Sequence, residues 1–493
     1  MRPSYVFLFF GLVLSILFSS GQIENPDTHL RLTQTRIILD HNKFGLPDDV
    51  GEDSHGNISI NIDGKRFMVY NPGQTIIFIP IYYIANLVST DEANAYYFSA
   101  FCVSFLNYMV HALCAFLLFK IALLLGADKK QAYLVSIFFG LTSYSFVFAQ
   151  STYEHHFEMF FILLSVYFAL KKDANHAGLL SGLMLSLGLV FRTTTILAVP
   201  AILLLQKNNN ERLKVLFSLT IGVAFVLLYN YYRFGNPLET GYSLAWSLAH
   251  SDKFDFWSFS GFPEAFFGFL FSPGKGLIFF STTIVIALFG IKTLWKKQRL
   301  IFYAILLISA AYLIIFSLNF AWHGSIWSYG PRYILPIIPF LYLPIIYLKP
   351  HKWVFVTLIL TFILQIVLIS VNYKRDVLND YIAYNGLSDM EYLYTANKEP
   401  HLAQIKQLAI IIPKNSGKLN NYWPYSPWKK EIRTASNEDV LNTSIEKNSI
   451  NFWWVRVFHW TTSKVIRFSS IIVLVFGLIG AYILFQYVKR EFI

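Results

Sequence analysis

The sequence predicts an all-α polytopic membrane protein with about twelve transmembrane helices, extracytoplasmic loops and a small C-terminal extracytoplasmic domain. Three observations predict it. Only 14% of the residues are charged and 55% are hydrophobic, where a soluble domain carries nearer a quarter charged. Apolar runs of about 15 residues or more recur along the chain, close to the roughly 20 needed to cross a 30 Å hydrocarbon core. Lys and Arg then fall into alternate gaps between those runs, as orientation in a membrane demands.

Taken in order, the spans lie at about 4–22, 94–126, 131–149, 156–170, 176–190, 194–206, 214–231, 275–291, 300–319, 332–348, 353–371 and 466–487. The fifth and sixth are short for full spans. One set of gaps holds sixteen basic residues, from Arg2 and Lys129-Lys130 through Lys292–Arg299 to Lys489-Arg490, while the short gaps of the other set hold only Arg192 and Arg332. Bias in short loops sets orientation, whereas long loops translocate regardless of charge. Both termini are therefore expected in the cytoplasm, with the chain in a bacterial inner membrane. Residues 1–22 also carry signal-peptide features, namely Arg2, an apolar stretch and Ser19-Ser20-Gly21. Cleavage there would leave an odd number of spans and break the charge parity.

Three long loops then fall outside, at about 23–93, 232–274 and 372–465. The first starts as a helix after Pro26, passes a polar middle (Pro47-Asp48-Asp49, Glu52-Asp53) and ends in an apolar stretch, 76–88, expected to lie in the interface. The division is a membrane domain over 1–372, an extracytoplasmic domain over 373–465 that includes Trp423 and Trp428, and a final helix and tail over 466–493. The net charge of +11 does not indicate nucleic acid, because the basic residues are dispersed between apolar runs instead of gathered in one patch. Cys102 and Cys114 stand twelve residues apart in one apolar helix, too distant for a disulfide.

Polar residues that gather at the outer boundary are the candidates for chemistry. Asn25 can cap a helix whose first position suits Pro26, placing Asp27 in the first turn, where the dipole favours negative charge; its plain alternative is a helix-start acid. Glu154-His155-His156, in a short outer turn, offers donors for an acceptor or a divalent cation, although neighbours on a helix point apart. Arg192 lies in Phe191-Arg192-Thr193-Thr194, and Arg332 opens a span after Trp327-Ser328-Tyr329-Gly330-Pro331. Charge at a membrane boundary is costly unless paired, functional or snorkelling to lipid phosphate. Lys275 sits in Ser272-Pro273-Gly274-Lys275-Gly276, whose glycines permit close approach to a phosphate, but the P-loop spacing is absent.

At these residues the chain resembles the GT-C membrane glycosyltransferases, especially bacterial relatives of the protein O-mannosyltransferases and the lipid A aminoarabinose transferases. The likeness covers roughly residues 1–372. It runs through Asp27 after the first span, Tyr70-Asn71-Pro72-Gly73, Phe191-Arg192-Thr193, Tyr229–Pro237, Phe271–Gly276, and Trp322-His323-Gly324 followed by Tyr329-Gly330-Pro331-Arg332-Tyr333. Many relatives carry two adjacent acids where this chain has Asp27-Thr28, and the segment after 372 has no counterpart.

The resemblance implies transfer of a sugar from a polyprenyl-phosphate donor in the membrane lipid to a glycan, lipid or protein acceptor outside. Asp27 would be the catalytic base. Arg192, Arg332 and Lys275 would bind the donor phosphate, with Tyr329, Trp322 and His323 lining the pocket. Glu154, His155 and His156 would serve the acceptor or a divalent cation, the one cofactor this set admits. Asp27 is expected above the two arginines, with room for a sugar between its carboxylate and the donor phosphate. The rival reading is a multi-pass transporter or flippase of amphipathic solutes, for which His111 and Lys120 inside the second long helix are the best support; a third is a non-catalytic assembly partner.

Overall fold

The structure is a computed structural model that describes residues 2–48, 57–61, 63–171, 176–249, 257–324, 328–349, 351–373, 393–394, 399–414 and 450–492. Expectations on Asp49, Glu52, Asp53, Trp327, Trp423, Trp428 and most of 373–465 lie outside the described residues.

Among the described residues the regular secondary structure is helical apart from a few isolated bridges and one antiparallel hairpin, in which Ile58–Ile60 pairs with Arg66–Met68. Five helices are long and apolar enough to cross a membrane: Glu92–Leu124, Asn209–Phe234, Arg299–Ser317, Lys352–Ser370 and Lys464–Glu491. Shorter apolar helices accompany them, including Pro3–Phe18 (α1), His155–Leu170, Ala177–Phe191 and Arg332–Tyr347. All the expected spans fall on helical segments, but several are not single unbroken α-helices. Residues 332–347 alternate between 3-10 and α geometry, because Pro336, Pro339 and Pro344 each remove a backbone donor from the ladder. The stretch expected as 275–291 begins in a turn, with its main helix running Ile284–Lys297.

The first long loop is helical at both ends, as the sequence led one to expect. The Asn25 side chain accepts from Thr28 N at 2.8 Å, starting helix α2 (Pro26–His41) with Asp27 in its first turn. The apolar end forms α3 (Gly73–Val88). The last helix, Lys464–Phe492, packs along α1. Its Gly477 and Gly480 face Ile16 and Val13 so closely that an added Cβ would meet them at 2.6 and 2.7 Å, the small-residue contact by which membrane helices approach.

Several of the gaps rich in Lys and Arg meet at one end of the bundle. There Lys129 pairs with Glu491 at 2.8 Å, Gln298 donates to Leu125 O at 3.2 Å, and Lys297 lies over the Tyr347 ring at 5.6 Å. The residues singled out for chemistry collect at the other end.

Candidate active site

Helix α2 presents Asp27 and Arg31 four residues apart, and therefore on one face. The Arg332 guanidinium stands over them, with Nη1 3.9 Å from Asp27 Oδ2. Two tyrosine rings flank that guanidinium: Tyr153 at 4.7 Å and Tyr333 at 4.9 Å, and Arg332 Nη2 donates to the Tyr333 hydroxyl at 3.1 Å. Gly324 adopts φ +67°, where side chains are strained, and comes so near Arg332 that a Cβ would sit 2.7 Å from its Nε. The carboxylate and the cation expected at this site are thus brought together. They touch each other, however, and no sugar-sized gap separates them.

Arg192 is 5.9 Å from the Tyr333 ring, so both arginines border one aromatic side chain. Their ionic surroundings differ. Arg192 Nη1 contacts Glu154 Oε1 at 2.7 Å and its Nε contacts Glu158 Oε2 at 3.0 Å. Glu158 also accepts from Thr194 at 2.5 Å and from the Tyr312 hydroxyl at 2.7 Å. The second oxygen of Glu154 pairs with Arg31 Nη2 at 2.9 Å. Burial pushes the Glu154 carboxyl up, but Arg31 and Arg192 together outweigh it and hold it below the usual range. A dry network of two acids and two arginines lies here. Sequence neighbours of Arg192 gave no sign of it, because its acids come from another helix.

Glu154 is therefore engaged by arginines, and the expected acid–imidazole donor set is not assembled. His156 Nε2 donates to Ser145 O at 2.9 Å, while Ser145 Oγ also meets His111 Nδ1 at 2.8 Å. His111 Nε2 in turn donates to Gly140 O at 2.9 Å. These contacts give His111, a residue cited for transport, a role in fastening helices. His155 is turned among the rings of Phe148, Tyr153 and Tyr333. Among the described residues no group of three His, Cys, Asp or Glu side chains could hold a metal ion.

Lys275 is buried, and its ammonium donates to Ser328 O. Burial, with the charges of Lys275 and Arg332 adding, pushes His323 down to about 3, so its imidazole is neutral near Arg332. Tyr329 stacks on Tyr373 at 4.8 Å and meets Phe280 edge-on at 5.0 Å. Trp322 is buried in the core against Phe269 and Gly268 and meets the His323 ring edge-on at 5.6 Å.

The remaining motifs converge on the same end. Tyr70 is buried beside α2: the Arg31 guanidinium lies 4.1 Å from its ring. Burial first, then the Asp27 charge, raises the Tyr70 hydroxyl well above 10, which keeps it protonated. Arg233 donates to Met68 O at 2.6 Å and Tyr70 O at 3.1 Å, fixing the segment that leads from the strand to Tyr70. Asn71 donates to Leu189 O at 2.8 Å, and Gly73 lies against Phe191, so the Tyr70–Gly73 motif seats on the Phe191–Thr193 motif.

Sequence reasoning missed Arg31, Glu158 and Tyr153, and named Tyr70 in a motif without giving it a role. Two signals were available. Arg31 follows Asp27 by one helical turn, and Glu158 follows Glu154 at the same spacing, where two like charges are unfavourable unless a cation bridges them. No family model matches the chain, and no curated protein is significantly similar to it in sequence.

Proposed function

We propose that the chain is a glycosyltransferase of the GT-C kind, moving a sugar from a polyprenyl-phosphate donor to an acceptor on the extracytoplasmic side of a bacterial inner membrane. Both termini are cytoplasmic in this reading and about twelve helices span the bilayer. The observation that carries it is the Asp27–Arg332 pair, a carboxylate and a guanidinium held in loose contact between two tyrosine rings at one end of the bundle.

The chemistry is a single displacement. The acceptor hydroxyl gives its proton to Asp27 as its oxygen bonds to the anomeric carbon. The bond from that carbon to the phosphate oxygen breaks, and its electron pair leaves with the lipid phosphate. That phosphate is already a good leaving group and needs cations, which Arg332 and Lys275 supply. Arg192, balanced by Glu154 and Glu158, acts from behind by fixing Tyr333 and Glu154. Because Arg332 rests against Asp27, donor binding exchanges the carboxylate for the phosphate and frees Asp27 for the acceptor. The test is incubation of the purified full-length protein in lipid nanodiscs with a panel of polyprenyl-phosphate sugars. Release of free polyprenyl phosphate from at least one member supports the reading; a panel that stays intact with lipid, glycan and peptide acceptors ends it.

A further inference from the structure

Arg31 is one of the most deeply buried charged groups in the described structure, at 1% exposure. Its Nη2 pairs with Glu154, and its guanidinium face covers the Tyr70 ring at 4.1 Å. Among the described residues its Nε and Nη1 find no hydrogen-bond partner. Buried donors are almost always satisfied, and leaving charged ones unmet is costly. The location makes this more than a packing defect. Arg31 is one turn along α2 from Asp27 on the same face, and Tyr70 feels the charge of both residues.

We propose that Arg31 binds the transferred sugar, with Nε and Nη1 donating to its hydroxyl oxygens beside Asp27. This rests on the glycosyltransferase reading and adds to it the residue that recognises the sugar. The sugar is favoured over the phosphate because of charge. Arg31 and Arg192 face Glu154 and Glu158, so this part of the site is already balanced. A balanced guanidinium keeps its directional donors while exerting little net pull on an anion, and the rigid fork suits paired oxygens. Arg332 and Lys275 lie on the phosphate side. Tyr70 supplies the flat surface that holds the fork in one plane.

The test compares two lipids on full-length protein in nanodiscs: the polyprenyl-phosphate sugar of the panel that wild type binds best, and the same polyprenyl phosphate without sugar. Arg31→Lys keeps a cation for Glu154 but loses the fork, and Arg31→Gln loses the charge as well. Both variants should bind the sugar-bearing lipid roughly tenfold or more weakly, as expected for lost charge-assisted hydrogen bonds, and bind the bare lipid as wild type does. Wild-type affinity for the sugar-bearing lipid in a folded Arg31→Lys protein would overturn the proposal, leaving those donors to ordered water. Equal weakening for both lipids would overturn it by placing Arg31 on the phosphate. If neither variant folds, Arg31 is a structural ion-pair member and the proposal falls. If wild type binds neither lipid, the glycosyltransferase reading falls first and takes the proposal with it.

Discussion

Arg192 and Arg332 border the same tyrosine ring, and their side chains are equally exposed at 14%. Arg192 nevertheless has two carboxylates at 2.7 and 3.0 Å, whereas Arg332 has one at 3.9 Å and otherwise aromatic faces. Burial alone therefore does not tell which cation serves a ligand. A guanidinium whose donors are already taken by carboxylates holds the fold together. One with a single loose carboxylate and ring faces retains the capacity to take a phosphate, because exchanging a 3.9 Å contact sacrifices little. The site has a locked half, built on Glu154, Glu158 and Arg192, and an open half, built on Asp27 and Arg332, with Arg31 joining them through its pair with Glu154 and its place one turn from Asp27.

The largest effect should come from the open half. Asp27→Asn preserves size and can still accept a hydrogen bond. It should lower turnover by the roughly 10²–10⁴-fold typical of a lost general base, with the melting temperature unchanged. If the variant transfers normally, Asp27 is only a helix-start acid and the division of the site fails. Next comes the locked half. Arg192→Ala strands Glu158 and half of Glu154 in a dry environment, and breaking a buried pair in this way costs about 3–5 kcal/mol. Thermal or denaturant unfolding in nanodiscs should show that loss. A stable Arg192→Ala protein with weakened donor binding would reverse the roles assigned to the two arginines.

Arg332→Ala should do the opposite of Arg192→Ala. Losing one charge-assisted contact is worth about 1.5–3 kcal/mol, seen as a raised donor concentration for half-maximal rate while unfolding changes little. The smallest effect is expected at Gly324, where Ala must crowd the Arg332 Nε and strain a left-handed backbone. Donor affinity should drop a few-fold, about 1 kcal/mol for the strain. An unchanged KM would mean that the Arg332 position is not tuned this finely.

The helical segments were legible because apolar length and basic gaps are one-dimensional signals. The start of α2 was legible too, since Asn25-Pro26-Asp27 carries its own cap. Sidedness led to the expectation that Asp27 and Arg332 share one boundary, but with a sugar's width between carboxylate and phosphate; that the two side chains contact each other directly was not legible. Sequence could not show that Arg192 is saturated, because Glu154 and Glu158 reach it across a helix pair. Nor could it show that Glu154 serves two arginines in place of a cation site shared with His155 and His156. The irregular segment at 332–347 was readable in its prolines, but hydropathy averages over backbone geometry.

Direct displacement of a lipid phosphate, with Asp27 taking the acceptor proton, is the centre of this account, and the anomeric configuration of the product tests it most directly. The proposed displacement has Asp27 and the leaving phosphate on opposite faces of the sugar, so nuclear magnetic resonance of the product formed by the full-length protein should show an anomeric centre inverted relative to the donor. The Asp27→Asn protein should form almost none of it. A retained configuration, or inversion at undiminished rate without the Asp27 carboxylate, would contradict the mechanism.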